Sequence, residues 1–360
     1  MRILHLATPE QGPGARSLLH ALCEGYATAG HEVVVLPPGP TARPAGRRPH
    51  GSPAAAVRGT LLAELERVQP DRVEVADPRL GWVGAWAGTA GVGSLVLAPP
   101  PPRGGAPATA APASPARAAE RRALALAASF GAVVCPTSTA AERFTRLGVA
   151  NARWVPRGTD LATFVPCRRD EELRAGLAQG ARVLVAASDA VGQGERPDLL
   201  PAALRRLRAC GVDARLVVLG ARPGGTLRQA ARGLPVTLLG PLPDRGELAA
   251  VLASVDVVVA PGAEDVRAVD VLAALACGTP VVAPAGSAAA EVVTDASGVV
   301  VPRTPAGLAV GVLEALELRA HGPGGPRARA EEFPWSRTVS SMLALHAPPA
   351  PASPAAAVAA

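Results

Sequence analysis

The chain contains no lysine. All 36 basic residues are arginine, against 30 acidic ones, for a formal charge of +6. This excludes a phosphate loop closed by lysine, a Schiff-base lysine and a lysine clamp on a phosphate. Aromatic residues are almost as scarce, at 2% of 360 residues. Cores must therefore be filled with Ala, Val and Leu. Platforms for stacking bases are missing and the arginines are scattered, so nucleic acid is not an expected partner. The five cysteines (Cys23, Cys135, Cys167, Cys210 and Cys277) lie far apart and form no CxxC pair. The six histidines have no metal-ligand spacing. A reduced cytoplasmic protein with no metal and no cofactor is the expectation. No run of 18 apolar residues occurs, so no membrane span is expected. Met1 leads straight into the strand-like Arg2–Leu6, which leaves no room for a leader peptide. A sequence pI of about 9.8 points to weak attraction to an anionic surface, hence to contact peripheral to the inner face of the membrane.

What is present is apolar and periodic. Hydrophobic residues make up 49%, enough to bury two cores. Arg2–Leu6 reads as a strand and Gly12–Gly14 as a loop. Ser17–Ala29 reads as a helix carrying Leu18, Leu19, Leu22 and Tyr26 on one side. Gly30 closes it, and Glu32–Leu36 is the next strand. The cycle repeats with helices over Val57–Val68, Leu80–Thr89, Ala118–Ser129 and Thr139–Leu147. Their strands are Asp71–Val75, Ser94–Ala98, Ala132–Cys135 and Ala152–Val155. Arg157–Gly180 lacks sustained periodicity. A second series follows, with strands at Arg182–Ala187, Ala214–Leu219, Val236–Leu239, Asp256–Ala260, Pro280–Val282 and Gly298–Val301. Helices lie near Asp198–Ala209, Gly246–Leu252, Val266–Ala276 and Ala306–Leu318.

Strands alternating with helices predict a parallel sheet with right-handed crossovers, here built twice. The expected fold is α/β, with two doubly wound Rossmann-type domains facing a cleft. The expected parts are a domain over 1–157, a connection over 158–180, a second domain over 181–320, a helix over 321–346 crossing back, and a disordered tail over 347–360. Pro37–Pro53, Pro99–Pro115 and Ala347–Ala360 are too rich in Pro, Gly, Ala or Arg to offset their ordering entropy, and are expected to be unstructured.

The most specific stretches are Asp256-Val-Val-Val-Ala-Pro-Gly262, Leu275-Ala-Cys-Gly-Thr-Pro-Val-Val-Ala283 and Glu291-Val-Val293. With the Gly14 turn, Pro70–Asp77, Arg157-Gly-Thr-Asp160 and Glu332-Phe-Pro-Trp335, they resemble the family-4 retaining glycosyltransferases of the GT-B fold. Within that family the chain is most similar to actinobacterial mannosyltransferases. The resemblance covers most of the chain. It implies transfer of a hexose, mannose above all, with retention, from a GDP-mannose-like donor to a lipid-linked or glycan acceptor.

The resemblance also implies a donor site. A leaving nucleotide diphosphate needs its two charges held, and the family does this with an Arg and a Lys five residues apart after the first strand of the second domain. Aligned on Arg196-Pro197-Asp198, those positions hold Ala190 and Glu195. Two lost charge-assisted bonds cost roughly 1.5–3 kcal/mol each. A carboxylate beside a phosphate adds repulsion of about 4 kcal/mol at about 4 Å and an effective dielectric near 20. Together these predict an affinity loss of about a thousandfold or more. The family's two glutamates, one for the sugar and one for the ribose, align with Asp265 and Ala273, and the turn between them becomes Val266-Arg267-Ala268. The phosphate-facing glycines become Pro13, with Gly14 kept, and Ser287-Ala288. The family's histidine after the fourth strand falls at Pro99.

Each remaining candidate carries two readings. Gly14, Asp265, Arg196, Arg267 and Glu291 stand as donor-side candidates, Arg16 and Asp77 as acceptor-side ones. Asp265 and Asp77 are also good helix N-caps, Glu291 a cap or strand-end acceptor, Gly14 a plain turn glycine and Arg16 an exposed helix position. Two functions follow. One is a divergent transferase using Arg196 or Arg267 as substitute clamps. The other is a catalytically silent relative that serves as a binding or scaffold partner.

Overall fold

The computed structural model describes residues 1–6, 13–36, 53–76, 80–97, 115–188, 196–220, 225–240, 242, 244–262 and 271–346. They fall into two compact units. The first takes Met1–Glu10, Leu22–Val155 and Thr338–Ala360, the second Gln11–Ala21 and Pro156–Arg337.

The first unit contains a six-stranded parallel sheet in the order β2-β1-β3-β4-β5-β6. Its strands are β1 (Arg2–Leu6), β2 (Glu32–Leu36), β3 (Arg72–Val75), β4 (Gly93–Leu97), β5 (Ala132–Cys135) and β6 (Ala152–Trp154). The crossovers are α1 (Pro13–Thr28), α2 (Pro53–Val68), α3 (Gly81–Ala90), α4 (Pro115–Ser129) and α5 (Ser138–Arg146). Three of these helices open on proline, whose fixed φ and missing N–H suit a first helical position. Leu4, Leu6, Val73 and Val75 point to one face and join Val83, Leu126, Phe130 and Phe144 in its core. Alternation sends His5 and Glu74 to the other face. Gly84 lets α3 lie against the Ser129 carbonyl at the end of α4, where any Cβ would collide.

The second unit is wound the same way, in the order β12-β11-β10-β7-β8-β9. The strands are β7 (Val183–Ser188), β8 (Ala214–Leu219), β9 (Val236–Leu238), β10 (Val257–Val259), β11 (Val281–Pro284) and β12 (Gly298–Val301). Its helices are α6 (Glu171–Ala178), α7 (Leu199–Ala209), α8 (Gly225–Ala230), α9 (Arg245–Ser254), α10 (Val271–Ala276), α11 (Pro305–Ala320) and α12 (Gly324–Glu331). Successive residues feed opposite cores. Leu184, Ala186, Val217, Leu219 and Val258 pack on one face. Val185, Ala187, Leu216, Val218, Val257 and Val259 pack on the other. Burial on both faces is why these strands read as unbroken apolar runs.

Two stretches differ from expectation. Residues 158–180 hold a 3-10 turn at Pro166–Arg168 and the helix α6, capped by Asp170 Oδ1 accepting from Leu173 N at 2.9 Å. Two helical turns are too few to show a period, but the Asp-Glu-Glu start was a legible cap. The helix expected over 321–346 is two helices, α12 and α13 (Trp335–His346), parted at Pro334, which cannot donate and disfavours helix at the residue before it. Of the segments expected to be unstructured, Pro53 and Pro115 open helices, and the rest lies outside the described residues. No helix among the described residues is long and apolar enough to cross a membrane.

Candidate functional site

In a doubly wound sheet, ligands sit beyond the carboxyl ends of the strands where the winding reverses. In the second unit the first strand, β7, has β8 on one side and β10 on the other, so the reversal lies between β7 and β10. Register pairs Ala187 with Val259, so the chain leaves the sheet side by side at Ser188 and Ala260. The segments that follow these two exits carry Ala190 and Glu195, and Asp265 and Arg267. All four residues lie outside the described ones.

Three donor-side positions are described. Ala273 is fully buried in α10, inside the core shared with Leu184 and Leu252. Arg196 is exposed and committed to a neighbour, donating from Nε and Nη2 to Asp198 Oδ1 and Oδ2 at 3.3 and 2.6 Å. That bond and the Arg196 charge hold the Asp198 carboxyl below its ordinary range. Asp198 precedes α7 without capping it. Glu291 is half-buried in the 3-10 turn Ala289–Glu291 after β11. Ser287 Oγ caps that turn, accepting from Ala290 N at 3.2 Å.

In the first unit the winding reverses between β1 and β3. Gly14 and Arg16 fall in the opening turn of α1, which follows β1 in sequence and whose first half, up to Ala21, is grouped with the second unit. Asp77, after β3, and Pro99, after β4, lie outside the described residues.

The stretch Leu275–Ala283 explains itself structurally. Gly278 ends α10 at a φ of +74°, and a Cβ there would strike Pro323. Thr279 Oγ1 donates to the Leu252 carbonyl at 2.7 Å. Cys277 is buried, which pushes its thiol up to about 12. Arginines hold the surrounding carbonyls. Arg319 donates to Gly278 O at 2.8 Å and Ala253 O at 3.2 Å. Arg327 donates to Phe164 O at 2.7 Å and Ala276 O at 3.0 Å. In a lysine-free chain, the fork of the guanidinium supplies this bracing.

The structure brings together two motifs far apart in sequence. Thr159 N donates to Phe333 O at 2.9 Å, and Trp335 N to Thr159 O at 3.2 Å. Arg245 pairs with Asp160 at 2.8 Å and lies over the rings of Phe164 and Trp335, at 5.6 and 5.7 Å from their centroids. Burial pushes the Asp160 carboxyl up, but hydrogen bonds from Thr163 and Ala162 and the charge of Arg245 outweigh it and hold the group low. Sequence reading missed Arg245, because its partners are set only by folding. It also passed over Glu74, whose signal was a charge between two valines of a strand. Among the described residues, no group of three or more His, Cys, Asp or Glu side chains could hold a metal ion.

Two sheets with these strand orders and flanking helices define a GT-B glycosyltransferase scaffold. Comparison with known proteins agrees. Residues 13–163 match the family described as Glycosyltransferase Family 4, and residues 180–318 match Glycosyl transferases group 1. The chain is 33% identical, over 368 aligned positions, to the GDP-mannose-dependent alpha-(1-6)-phosphatidylinositol dimannoside mannosyltransferase of Mycobacterium tuberculosis, covering 96% of this chain and 95% of that one. Among solved structures it is similar to sucrose-phosphate synthase from Thermosynechococcus elongatus, with a TM-score of 0.72, 20% identity and coverage of 96% and 98%. It is likewise similar to Anabaena HepE in complex with UDP-glucose, with a TM-score of 0.72, 16% identity and coverage of 96% and 99%. The chain belongs to glycosyltransferase family 4.

Proposed function

We propose that this chain is a mannosyltransferase-type protein that has lost the charged clamps of its donor site and acts as a catalytically silent binding partner. Kinship with the mycobacterial enzyme supports a GDP-mannose-like ligand and a lipid-linked acceptor; a basic pI favours meeting that acceptor in the cytoplasm, at the anionic inner face of the membrane. The observation that carries the loss is Ala273. A methyl group, fully buried in the core at the position aligned with the ribose carboxylate, offers no acceptor to a hydroxyl. Ala190 and Glu195 act in the same direction by removing two cations and adding an anion.

Calorimetry with GDP, UDP and GDP-mannose tests the reading. The wild type binds GDP-mannose no better than about millimolar. Ala190→Arg with Glu195→Lys and Ala273→Glu tightens binding by at least about a hundredfold, or roughly 2.7 kcal/mol. Micromolar binding by the unmodified chain defeats it. A second reading, a working retaining hexosyltransferase, rests on Arg196 or Arg267 as substitute cations. The Arg196–Asp198 pair weighs against the first of these. Release of mannose from GDP-mannose onto an acceptor glycolipid by the unmodified chain decides for that reading.

A further inference from the structure

In the first unit a carboxylate lies where none would be expected, in the middle of a strand and fully buried. Glu74 on β3 stands beside His5 on β1, their Cα atoms paired in register. Three donors from three elements converge on it. His5 Nδ1 donates to Oε2 at 3.0 Å. Tyr26 Oη, from α1, donates to Oε1 at 2.6 Å. His346 Nε2, from the last residue of α13, donates to the same Oε1 at 2.7 Å. The His346 ring stands edge-on to Tyr26 with centroids 6.2 Å apart. Nδ1 of His346 is buried and has no partner among the described residues.

The same residue is held a second time. Arg72 Nε donates to the His346 carbonyl at 2.7 Å, satisfying one of the carbonyls that the last turn of a helix leaves unpaired. Upstream, Val339 packs against Gly25 of α1, where a Cβ would collide. The last turn of α13 is thus seated through one histidine. Its side chain goes to Glu74 and its backbone to Arg72.

We propose that Glu74 is the catch of an acid-released latch: its carboxylate, shared by His5, Tyr26 and His346, seats the last turn of α13 on the first sheet, and protonating it frees that helix while the sheet stays folded. The inference does not depend on the donor-site reading. The physical reason is donor counting. Ionised, the two oxygens accept three bonds. Protonated, the carboxyl loses its charge and gains a hydrogen that needs an acceptor of its own, so the three charge-assisted bonds cannot all be kept, and a partner must turn its bond round or leave. His346 is the last residue of α13, the last described helix, whereas His5 lies in an inner strand and Tyr26 on a helix bounded by two strands.

The groups facing the carboxylate are His5 from β1, Tyr26 and Cys23 from α1, His346 from α13, and Arg72 beside it on β3. Burial and the Glu74 charge both push the Tyr26 hydroxyl and the Cys23 thiol up, so neither adds a second anion. Burial pushes Glu74 up, but bonds from His346 and His5 prevail and hold it low. A carboxyl lowered by folding stabilises the fold above its ordinary range. That contribution is lost as pH falls from about 4.5 towards about 2.

Hydrogen exchange of the full chain, corrected for intrinsic rates, tests this. Peptides covering 335–346 and 132–135 report the helix and the sheet. In the wild type, protection of 335–346 should fall about tenfold between about pH 5 and about pH 3, with 132–135 unchanged. Glu74→Gln should show the low helix protection already near pH 7, with no further acid response. His346→Leu should match it, and His346→Gln, which keeps an N–H near the Nε2 position, should recover most of the protection. Should Glu74→Gln fail to fold, the two His346 variants carry the test. A flat wild-type response, wild-type protection in both Glu74→Gln and His346→Leu, or loss of 132–135 together with the helix overturns the latch.

Discussion

The two sheets share one winding plan and are filled on opposite principles. In the second unit the inner strands β7, β8 and β10 send apolar side chains to both faces, and arginines such as Arg319 and Arg327 brace carbonyls between the helices. In the first, the neighbouring inner strands β1 and β3 bury His5 and Glu74 on one face and leucines and valines on the other. An apolar core tolerates small shifts, because its attractions are non-directional. A buried carboxylate does not, because each donor must be met at hydrogen-bond distance. The first sheet is therefore specified more narrowly than the second, and the helix seated on its carboxylate is the part most exposed to single substitutions and to acid.

The comparison breaks most readily at Glu74. Glu74→Ala strands three buried donors and leaves a cavity, and should cost about 4 kcal/mol, read as a lower unfolding midpoint of the first unit. Leu252→Ala, fully buried in the second core, should cost about 3 kcal/mol and move the second unit's transition alone. If the two substitutions shift one common transition, the sheets are a single cooperative unit and the contrast dissolves.

A smaller effect sharpens the site. Ala273→Glu alone places a longer, charged side chain in a filled core and should cost about 2 kcal/mol in thermal unfolding without ligand. An unchanged midpoint would mean that the glutamate escapes to solvent beyond the sheet and the core can admit a ribose clamp. Smallest of all, Arg196→Ala should leave both the unfolding midpoint and GDP-mannose binding unchanged, because its bonds to Asp198 are local and exposed. Any clear loss of nucleotide binding in that variant would promote Arg196 to a substitute clamp.

Most of the strand and helix series was legible, since period and punctuation are local. Arg2–Leu6, Glu32–Leu36, Ala132–Cys135, Ala214–Leu219 and Gly298–Val301 match their strands residue for residue. Helix α6 was not, because two turns give one repeat of Leu173 and Leu177 and no more. The alignment of Ala273 with a clamp position came from the Ala274–Gly278 stretch. Its depth in the core came only from the fold. Glu74 lies within the Pro70–Asp77 motif, yet nothing local distinguishes a buried strand glutamate from one on a solvated edge.

The sequence by itself determined the class of the protein: a lysine-free, aromatic-poor chain whose repeated strand–helix cycle closes two parallel sheets. Alternating burial and crossover handedness act over a few residues, so they can be read from a few residues. Only the tertiary structure decided which polar groups meet. His5, Tyr26, Glu74 and His346 span nearly the whole chain, and Thr159 and Trp335, which meet beside Arg245, are separated by about half of it. Such contacts are fixed when helices and strands dock, because a hydrogen bond is satisfied at about 3 Å and at no sequence separation in particular.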